Sequence, residues 1–206
     1  MKTTAKITTD HLIIRPTTFD DLDTFYEWET WPEVTEFFSI RAGQTREEVY
    51  QKFFSDDADD SSMQFTICLK GAASADPDEA AARPGLDEAA ARPAEGGTPV
   101  GRIVLADVIP GWKAEVWRIY IADTALRGKG LGKEALTAVL RYGFETLDLQ
   151  RIYLDFYTGN PAEYLYRSVG FTEEGVLRGN CRKDGVLHDV HLMSMMRPEW
   201  DEIYGI

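Results

Sequence analysis

The residues that most clearly suit a chemical role, by their type and their spacing, form a glycine-rich turn in the second half of the chain. Its members are Arg127, Gly128, Lys129, Gly130, Leu131, Gly132 and Lys133. The turn stands directly before a long run of residues with helical spacing. The N–H groups of a first helical turn have no partner within the helix, and the helix dipole adds positive potential there. Because glycine also lets an anion approach the backbone closely, the turn predicts a phosphate-binding site.

Spacing distinguishes between the known phosphate-binding motifs. A Walker A loop needs G-x-x-x-x-G-K-[ST], whereas Gly132 and Lys133 are followed by Glu134, and Arg127 occupies the place of the first glycine. The dinucleotide fingerprint G-x-G-x-x-G also fails, because the glycines at 128, 130 and 132 are spaced by twos. The pattern that fits is [RQ]-x-x-G-x-[GA]. The alternative is a tight strand-to-helix turn that binds nothing.

A second motif begins at Asn160 and contains Tyr166. It reads Asn160-Pro161-Ala162-Glu163-Tyr164-Leu165-Tyr166-Arg167-Ser168-Val169-Gly170-Phe171. Together the two motifs resemble those of the GNAT N-acetyltransferases, most of all the branch that holds ribosomal-protein N-terminal acetyltransferases and spermidine acetyltransferases. The resemblance covers nearly all of the chain outside a low-complexity segment. One departure is that Asn160 stands one residue closer to Tyr166 than the family pattern N-x-x-A-x-x-L-Y-x-x-x-G-F has it.

The resemblance implies a fold and a cosubstrate. The fold is the α/β GNAT fold, a mixed central sheet with a splayed strand pair and helices on both faces. The cosubstrate is acetyl-CoA, with its pyrophosphate over residues 127–133 and its pantetheine arm against the backbone of the run from Ile119 through Tyr120 to Ile121. Asn160 and Tyr166 are expected to contact it as well.

The resemblance also implies a reaction, the direct attack of an amine on the thioester in a ternary complex. Such a reaction needs a deprotonated nucleophile, donors to the oxyanion and a proton for the departing thiolate. Tyr166 matches the family tyrosine that lies near the sulfur, and it is the expected acid; the alternative is a tyrosine packed on a short helix. Glu115 is the candidate base. A water relay, or an acceptor that arrives neutral, would serve equally well.

An acidic and aromatic segment over residues 27–33 predicts the acceptor site, because the family places it at the open end of the cleft. Carboxylates attract an ammonium group, and a tryptophan face can hold it by a cation–π contact. Trp28, Glu29 and Glu33 are therefore expected to bind the acceptor, which is a small-molecule amine, a polyamine or a protein N-terminal amine. The alternative is a solvated acidic helix face with Trp28 in the core.

Hydrophobic periodicity predicts the elements that position these residues. Strand-like runs occupy residues 11–15, 64–69, 100–105, 115–121, 151–156, 174–178 and 186–195, and helical patterns occupy residues 20–29, 130–147 and 162–169. Thr45 and Glu48 have capping-box spacing and predict the start of another helix. Strands that alternate with helices indicate an α/β sheet.

A low-complexity segment interrupts the strand-like runs between residues 71 and 99. Asp-Glu-Ala-Ala-Ala-Arg-Pro occurs in it twice, at 78–84 and at 87–93. The segment has no apolar face to bury, so it predicts a surface insertion that extends a hairpin. Residues 1–206 are expected to form a single domain that carries this insertion at 71–99.

The composition of the chain limits which classes of protein are possible. A hydrophobic fraction of 44% in 206 residues is enough for a sizeable core, and the net charge of −13 argues against a nucleic-acid partner. There is no apolar run of membrane-spanning length and no signal-peptide pattern, which predicts a cytoplasmic protein without a membrane partner. The cysteines at 68 and 181 form no metal-binding pair, and no metal is expected.

Three functional classes stay open at this point. The first is an active acetyltransferase. Because members of the family often form dimers, the resemblance also suggests a homodimer. The second is an acyl-CoA-binding regulatory module without catalysis. The third is an acidic interaction protein unrelated to coenzyme A, whose main asset would be its charge.

Overall fold

An eight-stranded mixed sheet forms the centre of the molecule in a computed structural model that describes residues 5–39, 43–71 and 96–205. The strands are β1 (Ile7–Thr8), β2 (Leu12–Pro16), β3 (Met63–Leu69), β4 (Thr98–Ile109), β5 (Lys113–Ile121), β6 (Arg151–Tyr157), β7 (Thr172–Lys183) and β8 (Val186–Met196). Their order across the sheet is β1-β2-β3-β4-β5-β6-β8-β7. Neighbours are antiparallel except β5 and β6, which are parallel. The predicted mixed sheet is therefore confirmed.

Helices connect the strands and cover the sheet. They are α1 (Leu22–Trp28), α2 (Pro32–Thr35), α3 (Arg46–Ala58), α4 (Leu131–Arg141), α5 (Ala162–Val169) and α6 (Arg197–Tyr204). The predicted capping box opens α3, where Thr45 Oγ1 accepts from the Glu48 N–H at 3.2 Å and Glu48 Oε2 accepts from the Thr45 N–H at 2.7 Å. No helix within the described ranges is both long enough and apolar enough to cross a membrane.

Two hydrophobic clusters lie on opposite faces of the sheet. The α1-side core consists of Leu22, Phe25, Trp28, Val34, Phe53, Tyr120 and Ala122. The α4-side core is larger and includes Ala135, Leu136 and Val139 of α4 together with Ile121 of β5. Tyr120 and Ile121 are adjacent in one strand, so their side chains point to opposite faces. The helices therefore lie on both faces of the sheet, as predicted.

The helix predicted over residues 130–147 is two elements. The α-helix α4 ends at Arg141, and a π-helical turn spans Tyr142–Thr146. In this turn the Leu147 N–H donates to the Tyr142 carbonyl at 3.1 Å. Gly143 lies so close to β6 that a Cβ there would come within 2.7 Å of Ile152 Cδ1. The turn therefore packs closely against the sheet, and a side chain at residue 143 would require Ile152 to shift.

The predicted hairpin joins β3 and β4, with Gln64 opposite Val104. One boundary differs from the prediction, since Thr98 and Pro99 belong to β4 and not to the insertion. Thr98 pairs with Leu69 and Pro99 pairs with Cys68, so β4 begins with the last two residues of the predicted insertion. The Asp-Glu-Ala-Ala-Ala-Arg-Pro repeats lie in residues 72–95, outside the described part of the chain.

Candidate active site

The parallel strands β5 and β6 separate after three residue pairs. Lys113 pairs with Arg151, Ala114 with Ile152 and Glu115 with Tyr153, and no further pair is formed although both strands continue. This is the splayed strand pair that the resemblance implied. Beyond Glu115, the edge of β5 that faces β6 has no ladder partner among the described strands, so its backbone groups are open to an extended ligand.

A β-bulge in β5 accompanies the separation. Val104 of β4 pairs with Arg118 and Leu105 pairs with Val116, which leaves Trp117 as an extra residue. The bulge reverses the alternation of the strand, because Val116 before it and Ile119 after it both pack against the α4-side core. Strand alternation counted through Trp117 therefore gives the wrong face for the residues beyond the bulge.

A cavity of about 210 Å³ fills the opening between the two strands, and we call it the β5–β6 cavity. Among the residues that line it are Glu115, Ile119, Asn160 and Tyr166. The fold thus brings together residues of two separate segments, the run 115–121 and the motif that begins at Asn160. Asp155, Arg118 and Cys181 line the same cavity.

Glu115 is half-buried in this cavity and forms no ion pair within the described residues. Burial, followed by the charges of Asp155 and Asp107, raises its pKa to about 7, and Lys113 acts in the opposite direction. A carboxyl group with this pKa exchanges its proton near neutral pH. That is the property required of a general base.

Tyr166 is only 6% exposed and also lines the cavity. Its ring packs against Phe156 and Phe171, at centroid distances of 5.5 and 6.3 Å. Its hydroxyl has no hydrogen-bond partner in the described ranges. Burial and the charge of Asp155 raise the pKa of the phenol well above its usual value. The hydroxyl is therefore protonated at neutral pH and able to donate.

The glycine turn at 127–133 is open where a phosphate would lie. Gly128 and Gly130 have left-handed backbones with φ of 74° and 83°, and a Cβ built on either would meet nothing within 4 Å. The Glu134 N–H bonds to the Gly130 carbonyl at 2.9 Å, whereas the N–H groups of residues 131–133 have no partner among the described residues. The turn therefore fits the pyrophosphate of coenzyme A.

Two of the three cationic side chains in this turn donate hydrogen bonds to backbone carbonyls of the protein. Arg127 Nε donates to the Ile121 carbonyl at 3.0 Å, and its Nη2 donates to the Glu33 carbonyl at 3.0 Å. Lys133 Nζ donates to the Ser168 carbonyl at 3.0 Å. Lys129 is exposed and has no such partner among the described residues. The Ile121 carbonyl, expected to face the pantetheine arm, is thus already engaged.

Asn160 and Tyr120 both have local roles. The Asn160 Oδ1 accepts from the Ala162 N–H at 2.9 Å and so caps the start of α5, the helix that holds Tyr166 in the cavity. The side chain of Tyr120 is buried, and its hydroxyl donates to Glu29 Oε1 at 3.2 Å. Any contact of Tyr120 with a ligand would therefore use its backbone.

The residues predicted to bind the acceptor lie apart from this cavity. Trp28 is 7% exposed and belongs to the α1-side core. Glu29 is buried, and its Oε1 accepts from Arg118 at 2.6 Å and from Arg102 at 3.0 Å. Burial would raise the pKa of Glu29, but the two guanidinium groups outweigh it and hold the pKa below its usual value. The Glu29 carboxylate is thus already neutralised by the protein.

Glu33 is exposed and, with Glu29, lines a second cavity of about 960 Å³. We call it the α1–α3 groove, since Tyr26 and Arg46 also line it. Glu33 is the more available of the two carboxylates for a cation. The assignment of the acceptor to this groove stays a prediction.

The histidines of β8 face in opposite directions, as strand alternation predicts. His191 stacks on Phe156 and His188 stacks on Tyr157, each with ring centroids 5.1 Å apart, and these two partners are consecutive in β6. Across residues 5–39, 43–71 and 96–205, no group of three or more His, Cys, Asp or Glu residues is arranged to hold a metal ion.

Sequence reasoning missed Asp155 and Arg118. Asp155 could have been found from its place in β6, because it is a charged residue with an apolar neighbour on each side, Leu154 and Phe156. The alternation of that strand would have placed it on the same face as Tyr153. Arg118 gave no such signal, because its position depends on the bulge.

A family model decides the classification. The model of the acetyltransferase (GNAT) domain matches residues 11–172, which is most of the chain. The chain belongs to the GNAT acetyltransferase family. Curated relatives that are named as N-acetyltransferases agree, although the chain spans only about half the length of most of those that it matches.

Two of these relatives bear named activities. The putative ribosomal N-acetyltransferase YdaF of Bacillus subtilis is 31% identical over 90 residues, which are 43% of this chain and 48% of that protein. The spermidine N(1)-acetyltransferase of Vibrio cholerae is 30% identical over 102 residues, which are 49% of this chain and 58% of that protein.

Solved structures show the GNAT fold over almost the whole chain. The crystal structure of spermidine N-acetyltransferase from Vibrio cholerae, in complex with CoA and spermine, has a TM-score of 0.72 at 21% identity. The match covers 93% of this chain and 99% of that chain. A putative acetyltransferase from T. thermophilus has a TM-score of 0.70 at 23% identity over 96% of this chain and 92% of that chain. The predicted GNAT fold is confirmed.

Proposed function

We propose that this protein is an acetyl-CoA-dependent N-acetyltransferase that moves the acetyl group to a primary amine. The observation that carries the proposal is the β5–β6 cavity, where Glu115 and Tyr166 line one small space. Glu115 exchanges a proton near neutral pH, and Tyr166 carries its proton there. Family membership supports the same activity.

The glycine turn supports acetyl-CoA as the donor. Its unpaired N–H groups and left-handed glycines suit a pyrophosphate, and Lys129 adds an exposed cation there. Leu165 of α5 lies 3.7 Å from the place of a Cβ on Gly132, so the turn and the helix that carries Tyr166 are in contact. A coenzyme bound at the turn would therefore lie beside the helix of the candidate acid. A structural neighbour was solved in complex with CoA and spermine, which supports CoA as the kind of cosubstrate.

The proton transfers balance in a direct reaction. Glu115 accepts one proton from the ammonium form of the acceptor and later releases it to solvent. The neutral nitrogen then attacks the thioester carbonyl, so that a C–N bond forms and the C–S bond breaks. Tyr166 gives its proton to the departing thiolate, and the proton lost from the new amide nitrogen restores the phenol.

The acceptor is a small-molecule amine, a polyamine or a protein N-terminal amine. Relatives are named for a ribosomal and for a spermidine substrate, which favours these classes. The net charge of −13 and the carboxylates of the cavity favour an acceptor that is a cation in solution.

Release of free thiol from acetyl-CoA tests the proposal. The assay uses a panel of polyamines, amino acids, aminoglycosides and short peptides, with thermal unfolding in acetyl-CoA as a parallel readout. We expect thiol release with at least one amine, at a rate that rises with pH through about 7 as Glu115 ionises. Glu115→Gln should remove that pH dependence. Stabilisation by acetyl-CoA without thiol release would instead support the non-catalytic binding module.

A further inference from the structure

We infer that Asp155 is a specificity-determining residue of the acceptor pocket, where its carboxylate holds the acceptor's ammonium group beside Glu115. The inference rests on the proposed function and names the charged form in which the amine enters. Asp155 was not among the residues predicted from the sequence. It becomes visible only when β5 and β6 are seen to enclose one cavity.

The position of Asp155 directs its carboxylate into the β5–β6 cavity. Its neighbours Leu154 and Phe156 both pack into the α4-side core, so the side chain between them points to the other face of β6. There it lines the same cavity as Glu115 and Tyr166.

Asp155 and Glu115 lack the counter-cations that other sheltered carboxylates have. Asp21 binds Arg15 at 2.7 Å, and Glu29 binds Arg118 at 2.6 Å. By contrast, the carboxylates of Asp155 and Glu115 have no hydrogen bond or ion pair to any residue that the structure describes. Two carboxylates in one small space repel each other, and a cation between them relieves the repulsion.

Tyr166 provides an independent indication that a ligand binds here. Its side chain is more than nine-tenths buried, yet its hydroxyl has no hydrogen-bond partner in the described part of the chain. The hydroxyl oxygen is not one of the fully buried unpaired side-chain atoms, so it is accessible from the β5–β6 cavity, where a ligand can bond to it. The charge of Asp155 raises the pKa of both Tyr166 and Glu115, which places Asp155 within electrostatic reach of both reacting groups.

The other charged and titratable groups around Glu115 do not replace this cation. Asp107 of β4 adds a further negative charge, and Lys113 of β5 lowers the pKa of Glu115 without forming an ion pair with it. Tyr153 of β6 donates its hydroxyl to Asp107 at 3.3 Å. The Arg118 guanidinium donates to Glu29. The cation that Asp155 and Glu115 lack within the described residues can therefore be supplied by the acceptor.

The decisive experiment compares a charged with an uncharged acceptor. An amine that the enzyme accepts is paired with its β,β,β-trifluorinated analogue, which is mainly neutral at the assay pH, and both are tested with wild type, Asp155→Asn and Asp155→Glu. Asp10→Asn is the matched control, because Asp10 is exposed and lies outside the cavity. Thermal unfolding confirms that each variant is folded.

Asp155→Asn should raise KM for the charged amine at least about tenfold, with unchanged KM for the neutral analogue and for acetyl-CoA. It should also move the acidic limb of the kcat/KM profile to lower pH, because a negative charge beside Glu115 is lost. Asp155→Glu should restore part of the preference for the charged amine. Equal effects on the two acceptors, or no effect on KM, would overturn the inference.

Calorimetry separates this inference from the proposed function. If wild type binds the cationic amine in the presence of CoA and Asp155→Asn binds it at least about tenfold more weakly, the inference stands even without turnover. Turnover with an unchanged charge preference in Asp155→Asn would leave the proposed function in place and remove Asp155 from the acceptor pocket.

Discussion

Glu115 of β5 and Tyr153 of β6 form the last residue pair before the two strands separate. The candidate base therefore stands at the vertex of the opening, where the sheet still holds its backbone and the cavity already reaches its side chain. Backbone pairing between β5 and β6 fixes the main chain at Glu115, and the absence of pairing beyond it leaves room for substrates.

The stability of the protein should respond to the charge of Glu115. Its pKa in the fold is about 7, above its ordinary value of 4.5. The folded state therefore favours the protonated form, and stability is lost as pH rises from about 4.5 through about 7. Glu115→Gln should raise Tm at roughly pH 8 by more than at roughly pH 5. An equal Tm difference at both pH values would show that the carboxyl group is not perturbed.

Tyr166→Phe should lower kcat at least about tenfold and leave the affinity for acetyl-CoA nearly unchanged, because a proton donor acts mainly in the transition state. Tyr164→Phe is the matched control, since Tyr164 lies on the same helix but is 81% exposed. Single-turnover rates and calorimetry check the two quantities. An unchanged chemical step in Tyr166→Phe would remove this tyrosine from the mechanism.

The glycine turn allows a test of coenzyme binding with a matched control. Gly130→Glu places a carboxylate where the pyrophosphate is expected and should abolish binding of acetyl-CoA. Gly111→Glu introduces the same side chain at another left-handed glycine with no atom within 4 Å of its Cβ, in the β4–β5 turn. It should bind acetyl-CoA like wild type in calorimetry. Wild-type affinity in Gly130→Glu would mean that the phosphate site lies elsewhere.

Glu29 and Glu33 were predicted together, and their variants should now behave differently. Glu29→Gln leaves the Arg102 and Arg118 guanidinium groups buried without a carboxylate and should destabilise the fold by about 3 kcal/mol in urea unfolding. Glu33→Gln should change stability by less than about 0.5 kcal/mol, because Glu33 is exposed. If Glu29→Gln raises acceptor KM without loss of stability, the α1–α3 groove is the acceptor site after all.

The sequence predicted the order of elements and the site motifs because these depend on local patterns. The glycine turn, the α5 motif and the capping box at Thr45 all have signatures within a few residues. The β-bulge at Trp117 has no such signature, since it is a mismatch between two strands. The partners of Glu29 were equally hidden, because Arg102 and Arg118 come from distant strands that only the sheet brings to α1. Asp155 was missed for the same reason, because it reaches the site only through the arrangement of β5 and β6 in the sheet.

Transfer of a labelled acetyl group tests the central claim most directly. The protein is incubated with acetyl-CoA labelled with carbon-13 in the acetyl group and with the amine that gives the fastest thiol release, and the products are identified by mass spectrometry. We expect the label on the amine nitrogen, in an amount equal to the free thiol, with wild type and far less with Glu115→Gln. Label that stays on the coenzyme or is released as free acetate, while the amine remains unmodified, would contradict the account.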